Sequence, residues 1–160
     1  MWGYIMARSN KFSSKKVSDK KWGEFDSTTE YKYWLHLIDM QEKGLITNLN
    51  RQKEFLLVPS FKDSYKNTVR QMVYISDFTF SKEGKEHIVD VKGSLYNTTQ
   101  EWKVKWKMCK YLYQDYVYEV MVTLNGKWYN CEDKLEKKEY KEIVNQNKLK
   151  KKSKKGGVKK

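Results

Sequence analysis

Apolar residues recur at helical spacing in two stretches of the chain and at strand spacing in the segments between them. Trp34, Leu37, Ile38 and Gln41 form one stripe of a helix predicted from about Thr28 to Lys43. Its start is marked by Ser27-Thr28-Thr29-Glu30, a capping box in which hydroxyl and carboxylate each satisfy a free amide, and its end by Gly44. Counting back four residues from Trp34 places Glu30 on the same inward line. A second helix is predicted after Thr98-Thr99-Gln100-Glu101, with Trp102, Trp106, Cys109 and Tyr113 on one face and lysines between them. A third, charged helix follows Asp133-Lys134-Leu135-Glu136 and runs to about Val144.

Between the helices the pattern is that of strands. Leu45-Ile46 and Phe55 to Val58 are short apolar runs, and Pro59 ends the second. Arg70 to Phe80 is rich in β-branched and aromatic residues, and Glu83-Gly84 reads as a turn leading to a partner strand, Glu86 to Lys92. Tyr116 to Val122 and Lys127 to Cys131 form a second hairpin about Asn125-Gly126. Helix, three strands, helix, strands is the order of an α/β fold with a central mixed β-sheet flanked by helices. Residues 1–22 are polar and read as a basic flexible arm ending in a short strand, 23–147 as one domain, and 148–160 as a disordered lysine-rich tail.

Charge narrows the choice of partners. The chain of 160 residues has a formal net charge of +13. Lys148 to Lys160 holds eight lysines and no acid, so 13 minus 8 leaves +5 on the remainder. Such an excess favours a polyanion, DNA first, through release of counterions. The competing reading is a lysine-rich solvated surface, since arginine occurs only at Arg8, Arg51 and Arg70. Lys103, Lys105, Lys107 and Lys110 beside the tryptophan stripe, and Lys150, Lys151 and Lys152 in the tail, are the candidate DNA-binding positions. The stripe itself, Trp102 and Trp106, reads as core packing. The tail serves either as a tether or as a solubilising extension. Cys109 and Cys131 lie outside any CxxC pair and read as free thiols. No apolar run approaches the ~20 residues of a membrane span, so a soluble, cytoplasmic protein is expected.

The candidate chemistry follows from register. A two-residue loop at Glu83-Gly84 sets Lys82 opposite Lys85, Phe78 opposite Val89, and Asp77 opposite Asp90. Directly opposed residues have Cβ atoms ~4.5–5.5 Å apart, where like charges repel. Lys92, two residues beyond Asp90, shares that face and neutralises one acid of the two. A divalent cation such as Mg²⁺ would neutralise the other, polarise a phosphodiester and activate water, with Lys92 orienting that water or stabilising the transition state. Three plainer readings stand beside this one: Glu30 as a cap alone, a slipped register that separates the aspartates, and Lys92 as an ordinary cross-strand ion pair.

Phe25-Asp26-Ser27-Thr28-Thr29-Glu30-Tyr31-Lys32-Tyr33, Ile75-Ser76-Asp77-Phe78 and Val89-Asp90-Val91-Lys92-Gly93 resemble a small phage-encoded branch of the PD-(D/E)xK nuclease superfamily, related to restriction enzymes and Holliday junction resolvases. The likeness also takes in Asn10-Lys11-Phe12 and Gly44 to Leu57, and covers roughly residues 10–122. The resemblance implies a restriction-endonuclease-like fold and Mg²⁺-dependent phosphodiester hydrolysis, with Mn²⁺ a possible substitute. It implies catalytic roles for Glu30, Asp77, Asp90 and Lys92, with metal held at Asp77, Asp90, Val91 and Glu30. Ser76 departs from the proline of the superfamily's name, and Asp90 from its commoner glutamate. The implied activity is that of a phage endonuclease in the cytoplasm of a bacterial host, acting on branched or recombining DNA as a homodimer. The alternatives are a nicking or restriction-like duplex nuclease, a non-catalytic basic nucleic-acid-binding protein, and a basic structural protein of a large assembly.

Overall fold

The computed structural model describes residues 15–156. The expectations for Asn10-Lys11-Phe12, for the first part of the arm and for the last four residues of the tail lie outside the described residues.

The described chain opens with a small antiparallel hairpin, β1 (Val17–Asp19) and β2 (Gly23–Phe25). β1 is the short strand expected at the end of the arm. Arg51 fixes this hairpin: its guanidinium donates to the carbonyls of Trp22 and Glu24, each at 2.5 Å, and lies 3.7 Å from the Phe25 ring centroid. Helix α1 (Thr28–Glu42) follows, capped by Ser27, whose Oγ accepts the Glu30 amide at 3.0 Å. Its buried residues are Tyr33, Trp34 and Leu37, whereas Gln41 is exposed and accepts the Leu49 amide. Tyr33 therefore takes the inward place expected of Gln41.

The strands are β3 (Thr47–Arg51), β4 (Glu54–Val58), β5 (Phe61–Lys62), β6 (Thr68–Val69), β7 (Met72–Ile75), β8 (Phe78–Lys82) and β9 (Lys85–Lys92). Helix α2 (Gln100–Leu112), β10 (Val117–Leu124), β11 (Lys127–Asn130) and helix α3 (Lys134–Gly156) complete the chain. The central sheet has the order β11-β10-β9-β8-β3 and is mixed, with β9 and β10 parallel and the other pairs antiparallel. The parallel pair is joined through α2, as a crossover requires. The strand expected over Arg70 to Phe80 is two strands. Its first half pairs with β4 in a separate ribbon, and the chain enters the central sheet at Ser76-Asp77.

Each sheet face is covered by helix. On one, Phe25, Tyr33, Trp34 and Leu37 pack with Phe78, Phe80 and Val89, and the Trp34 ring stacks on Phe78 at 5.7 Å. Full burial of such side chains contributes ~1.5–3 kcal/mol each. On the other face Ile88, Val120 and Val122 meet Trp106 and Cys109 of α2 and Tyr140 of α3. Trp106 and Cys109 are buried, as the packing reading of the stripe expects, and both cysteines are free thiols.

Two helix ends differ from expectation. The N-cap of α2 is Thr99 rather than Thr98: its Oγ1 accepts the Trp102 amide at 3.1 Å, and Glu101 pairs with Lys105 instead of turning back. Helix α3 was expected to end near Val144 before a disordered tail, but it continues to Gly156 and carries Lys148, Lys150, Lys151 and Lys152. From Val144 to Lys155 there is neither Gly nor Pro to stop it, and lysine is a good helix former. No helix among the described residues is long and apolar enough to cross a membrane.

Candidate active site

The first turn of α1, the Ser76-Asp77 link and the end of β9 meet beside the β8–β9 hairpin. The hairpin turn places Glu83 and Gly84 at φ 51° and 75°, the left-handed pair of a two-residue loop, and sets Lys82 opposite Lys85 and Phe78 opposite Val89. Continuing that register by one residue brings Asp77 against Asp90. The slipped register is thereby excluded.

The link is held at both residues. The Ser76 amide donates to the Lys53 carbonyl at 3.0 Å, and the Asp77 carbonyl accepts the Gln52 amide at 3.1 Å. A proline at position 76 has no N–H and would leave the Lys53 carbonyl without that bond, a local reason for serine there. The Asp77 side chain turns toward β9, where its Oδ2 accepts the Val91 amide at 2.6 Å.

Asp90 is 3% exposed, the most buried acid of the site. Its Oδ2 accepts two hydrogen bonds, from the Tyr74 hydroxyl at 2.6 Å and from the Trp102 indole Nε1 at 2.7 Å. Its Oδ1 is contacted by the Lys92 ammonium outside hydrogen-bond geometry, so this buried oxygen has no hydrogen-bond donor. The same ammonium lies 4.7 Å from the Trp102 ring centroid. Burial, and then the Asp90 charge, push the Tyr74 hydroxyl far above its ordinary pKa, so it stays a donor.

Glu30 reaches this group from α1. Its Oε2 accepts the Asp26 amide at 3.1 Å, one residue before the position a regular capping box would use. Burial raises the Glu30 pKa, helped by the Asp26 and Asp90 charges and opposed by the Asp26 amide and by Asp77. Asp77 is raised well above the ordinary carboxylate range by the protein crowding it, then by the charges of Asp90 and Glu30. Glu30 is therefore both a cap and a member of the cluster, and Lys92 is its one ammonium.

A divalent cation suits this group. It would neutralise the charge that the Lys92 ammonium at Asp90 Oδ1 leaves over and ease the burial and repulsion that hold Asp77 toward its protonated form. Among the described residues, however, no group of three His, Cys, Asp or Glu side chains is already arranged to hold a cation. The geometry accounts for this: Glu30 is turned to the Asp26 amide and Lys92 lies against Asp90, so both side chains must move for an ion to enter. The Val91 side chain packs into the α1 face of the core, leaving its backbone as the part that could meet an ion.

Sequence reasoning brought Glu30, Asp77, Asp90 and Lys92 together and missed Tyr74 and Trp102. Both come from other elements, β7 and α2, and no local spacing links them to Asp90. A hint existed in Trp102, since a half-buried indole N–H needs an acceptor.

The candidate DNA-binding lysines divide. Lys105 pairs with Glu101 at 2.9 Å, and Lys110 pairs with Glu132. Lys103 and Lys107 are exposed and have no carboxylate partner among the described residues, and Lys150, Lys151 and Lys152 lie exposed along α3. No curated protein and no solved structure matches the chain. A family described as "Protein of unknown function (DUF1064)" matches residues 9–130, and the chain belongs to that family.

Proposed function

We propose that this protein is a Mg²⁺-dependent endodeoxyribonuclease of the PD-(D/E)xK kind, with a restriction-endonuclease-like fold, acting on branched DNA such as Holliday junctions. One observation carries the reading: Glu30, Asp77 and Asp90 converge at the β8–β9 hairpin, where among the described residues the Lys92 ammonium, paired with Asp90, is set against three carboxyl groups. Structural clusters of acids are ordinarily neutralised. A buried cluster with more carboxyl groups than ammonium groups suits a site that binds a cation.

The residues divide the work. Tyr74 and Trp102 fix Asp90, and the Val91 amide fixes Asp77, so two ligands are set before any ion arrives. Glu30 and the Val91 backbone complete the set. Held there, Mg²⁺, or Mn²⁺ in its place, would polarise the phosphodiester and make a water more acidic. Lys92 would orient that water or stabilise charge developing on the phosphate. DNA is the expected partner, and a homodimer suits symmetric cutting of a four-way junction. The place of action is the cytoplasm of a bacterium carrying the phage.

The test is incubation of purified protein with labelled duplex, single strand, flap and four-way junction, in Mg²⁺, Mn²⁺ or chelator. Cleavage should need the metal, favour branched substrates and vanish in Asp77→Asn. Full Mg²⁺-dependent cutting by Asp77→Asn would remove the site. A non-catalytic nucleic-acid binder is the second reading, favoured by the absence of a ready-made three-ligand group among the described residues. Such a protein would bind equally in chelator and leave every substrate whole.

A further inference from the structure

A cleft of about 450 Å³ opens between α2, the single 3₁₀ turn at Leu95–Asn97 and the start of α3. That volume lies within the ~300–1,000 Å³ of typical small-ligand sites. Its floor is apolar, formed by residues such as Trp106 and Val120, while Lys103, Lys107, Lys137 and Lys141 stand round it. None of these four lysines has a carboxylate partner within ion-pair distance among the described residues. The acid in the cleft, Glu132, is already engaged, accepting from Trp106 Nε1 at 2.7 Å and paired with Lys110. The rim is therefore a surplus of positive charge over a greasy floor.

Two further features give the cleft a direction. Trp102 lines it and also donates to Asp90, so one side chain belongs to both the cleft and the candidate active site. The Trp102 ring is stacked on Trp106 and has the Lys92 ammonium over it, so it is engaged within the protein. Tyr96 is 54% exposed at the cleft, with the Lys148 ammonium of α3 at 4.9 Å from its ring centroid and no aromatic ring stacked on it among the described residues. An exposed aromatic wall, an apolar floor and unpaired ammonium groups match a ligand that is flat and apolar at one end and anionic at the other.

We propose that this cleft is a subsite for one unpaired nucleotide of the DNA strand engaged at Asp90, its base against the floor and Tyr96 and its phosphate on the rim lysines. A base within a duplex cannot present itself in this way, because its faces are stacked and its edge is paired; it must first leave the helix. The subsite therefore selects DNA carrying unpaired nucleotides next to the engaged strand, as at a branch, flap or frayed end. This rests on the nuclease reading of the Asp90 site, which supplies the strand's position.

Fluorescence anisotropy in chelator separates binding from chemistry. The probes are a labelled blunt duplex and the same duplex with a short single-stranded overhang. Wild-type protein should bind the overhang about tenfold more tightly, the scale of one stacked base with its phosphate neutralised. Tyr96→Ala and the double variant Lys103→Gln/Lys141→Gln should each bring that ratio close to one. The double variant should also flatten the salt dependence of overhang binding, lowering its slope by roughly 0.7 for each phosphate left without a lysine. All three positions are exposed, and unchanged melting temperatures confirm intact folds. Equal wild-type affinity for the two probes, or an unchanged ratio in both variants, overturns the subsite. Cleavage assays in Mg²⁺ on the same proteins keep the two readings apart. Wild-type cutting without overhang preference rejects the cleft alone; overhang preference without cutting in any metal supports the cleft and rejects the nuclease.

Discussion

Two helices of this protein open with nearly the same letters, Ser27-Thr28-Thr29-Glu30 and Thr98-Thr99-Gln100-Glu101, and their glutamates have opposite fates. Glu30 lies on the buried line of α1, faces Asp77, and has its pKa raised by burial. Glu101 is exposed, and its hydrogen bond and ion pair with Lys105 hold its pKa below the ordinary value. The capping signature fixes where a helix begins; where the apolar stripe falls relative to it decides whether the acid faces solvent or core. In α1 the stripe includes the third helical position. In α2 the cap moves to Thr99, so that Trp102 takes that position and Glu101 turns outward.

The contrast can be broken most sharply by activity. Glu30→Gln keeps an acceptor for the Asp26 amide but removes a charge from the site, and should lower Mg²⁺-dependent cleavage by about 100-fold or more. Glu101→Gln should leave the single-turnover rate within about twofold. Equal losses in both would show that Glu30 is a cap and nothing further.

Stability should treat the two caps alike. Ser27→Ala and Thr99→Ala each remove a hydroxyl that accepts a helix amide and should each cost about 1 kcal/mol in urea unfolding. A much larger loss for Ser27 alone would mean that the cluster beside α1 stabilises the fold instead of straining it.

A smaller effect separates the two acids by pH. Glu30 has a raised pKa, so the folded state holds its proton more tightly than the unfolded chain, and stability is lost as pH rises from the ordinary carboxylate range through the raised value. Glu30→Gln removes that loss, so its melting temperature relative to wild type should climb between pH ~4 and ~7. Glu101 has a lowered pKa and supports the fold above its unfolded value, so Glu101→Gln should fall relative to wild type as pH rises from below ~4 to ~5 and stay level beyond. The second slope should be shallower and should fade in salt, because the pair is exposed. Parallel slopes would refute the assignment of opposite environments.

The register of the β8–β9 hairpin was legible because a two-residue turn leaves one pairing that keeps Phe78, Phe80 and Val89 in the core. With the register came Asp77, Asp90 and Lys92. The break at Ser76-Asp77 was not legible, since Met72 to Lys82 has strand composition throughout and the departure of β7 to pair with β4 is a tertiary choice. Tyr74 and Trp102 were lost with it, because their bond to Asp90 joins elements that only the folded topology brings together. The length of α3 was misjudged for another reason: a lysine run suggests repulsion and disorder, yet the backbone meets no breaker before Gly156.

The parallel pairing of β9 with β10 has a kinetic consequence. His87 aligns with Val117 across the whole α2 crossover, so closing this pair is a non-local step late in assembly. The indole bond to Asp90 comes from that same crossover helix, and until α2 docks the carboxylate must remain hydrated. The strand pair and the site would then mature together in the final folding phase. Trp102→Phe, which keeps most of the packing and deletes the donor, should accelerate unfolding while leaving the refolding arm of a chevron nearly in place. A shift confined to the refolding arm would instead place the indole bond in the folding nucleus.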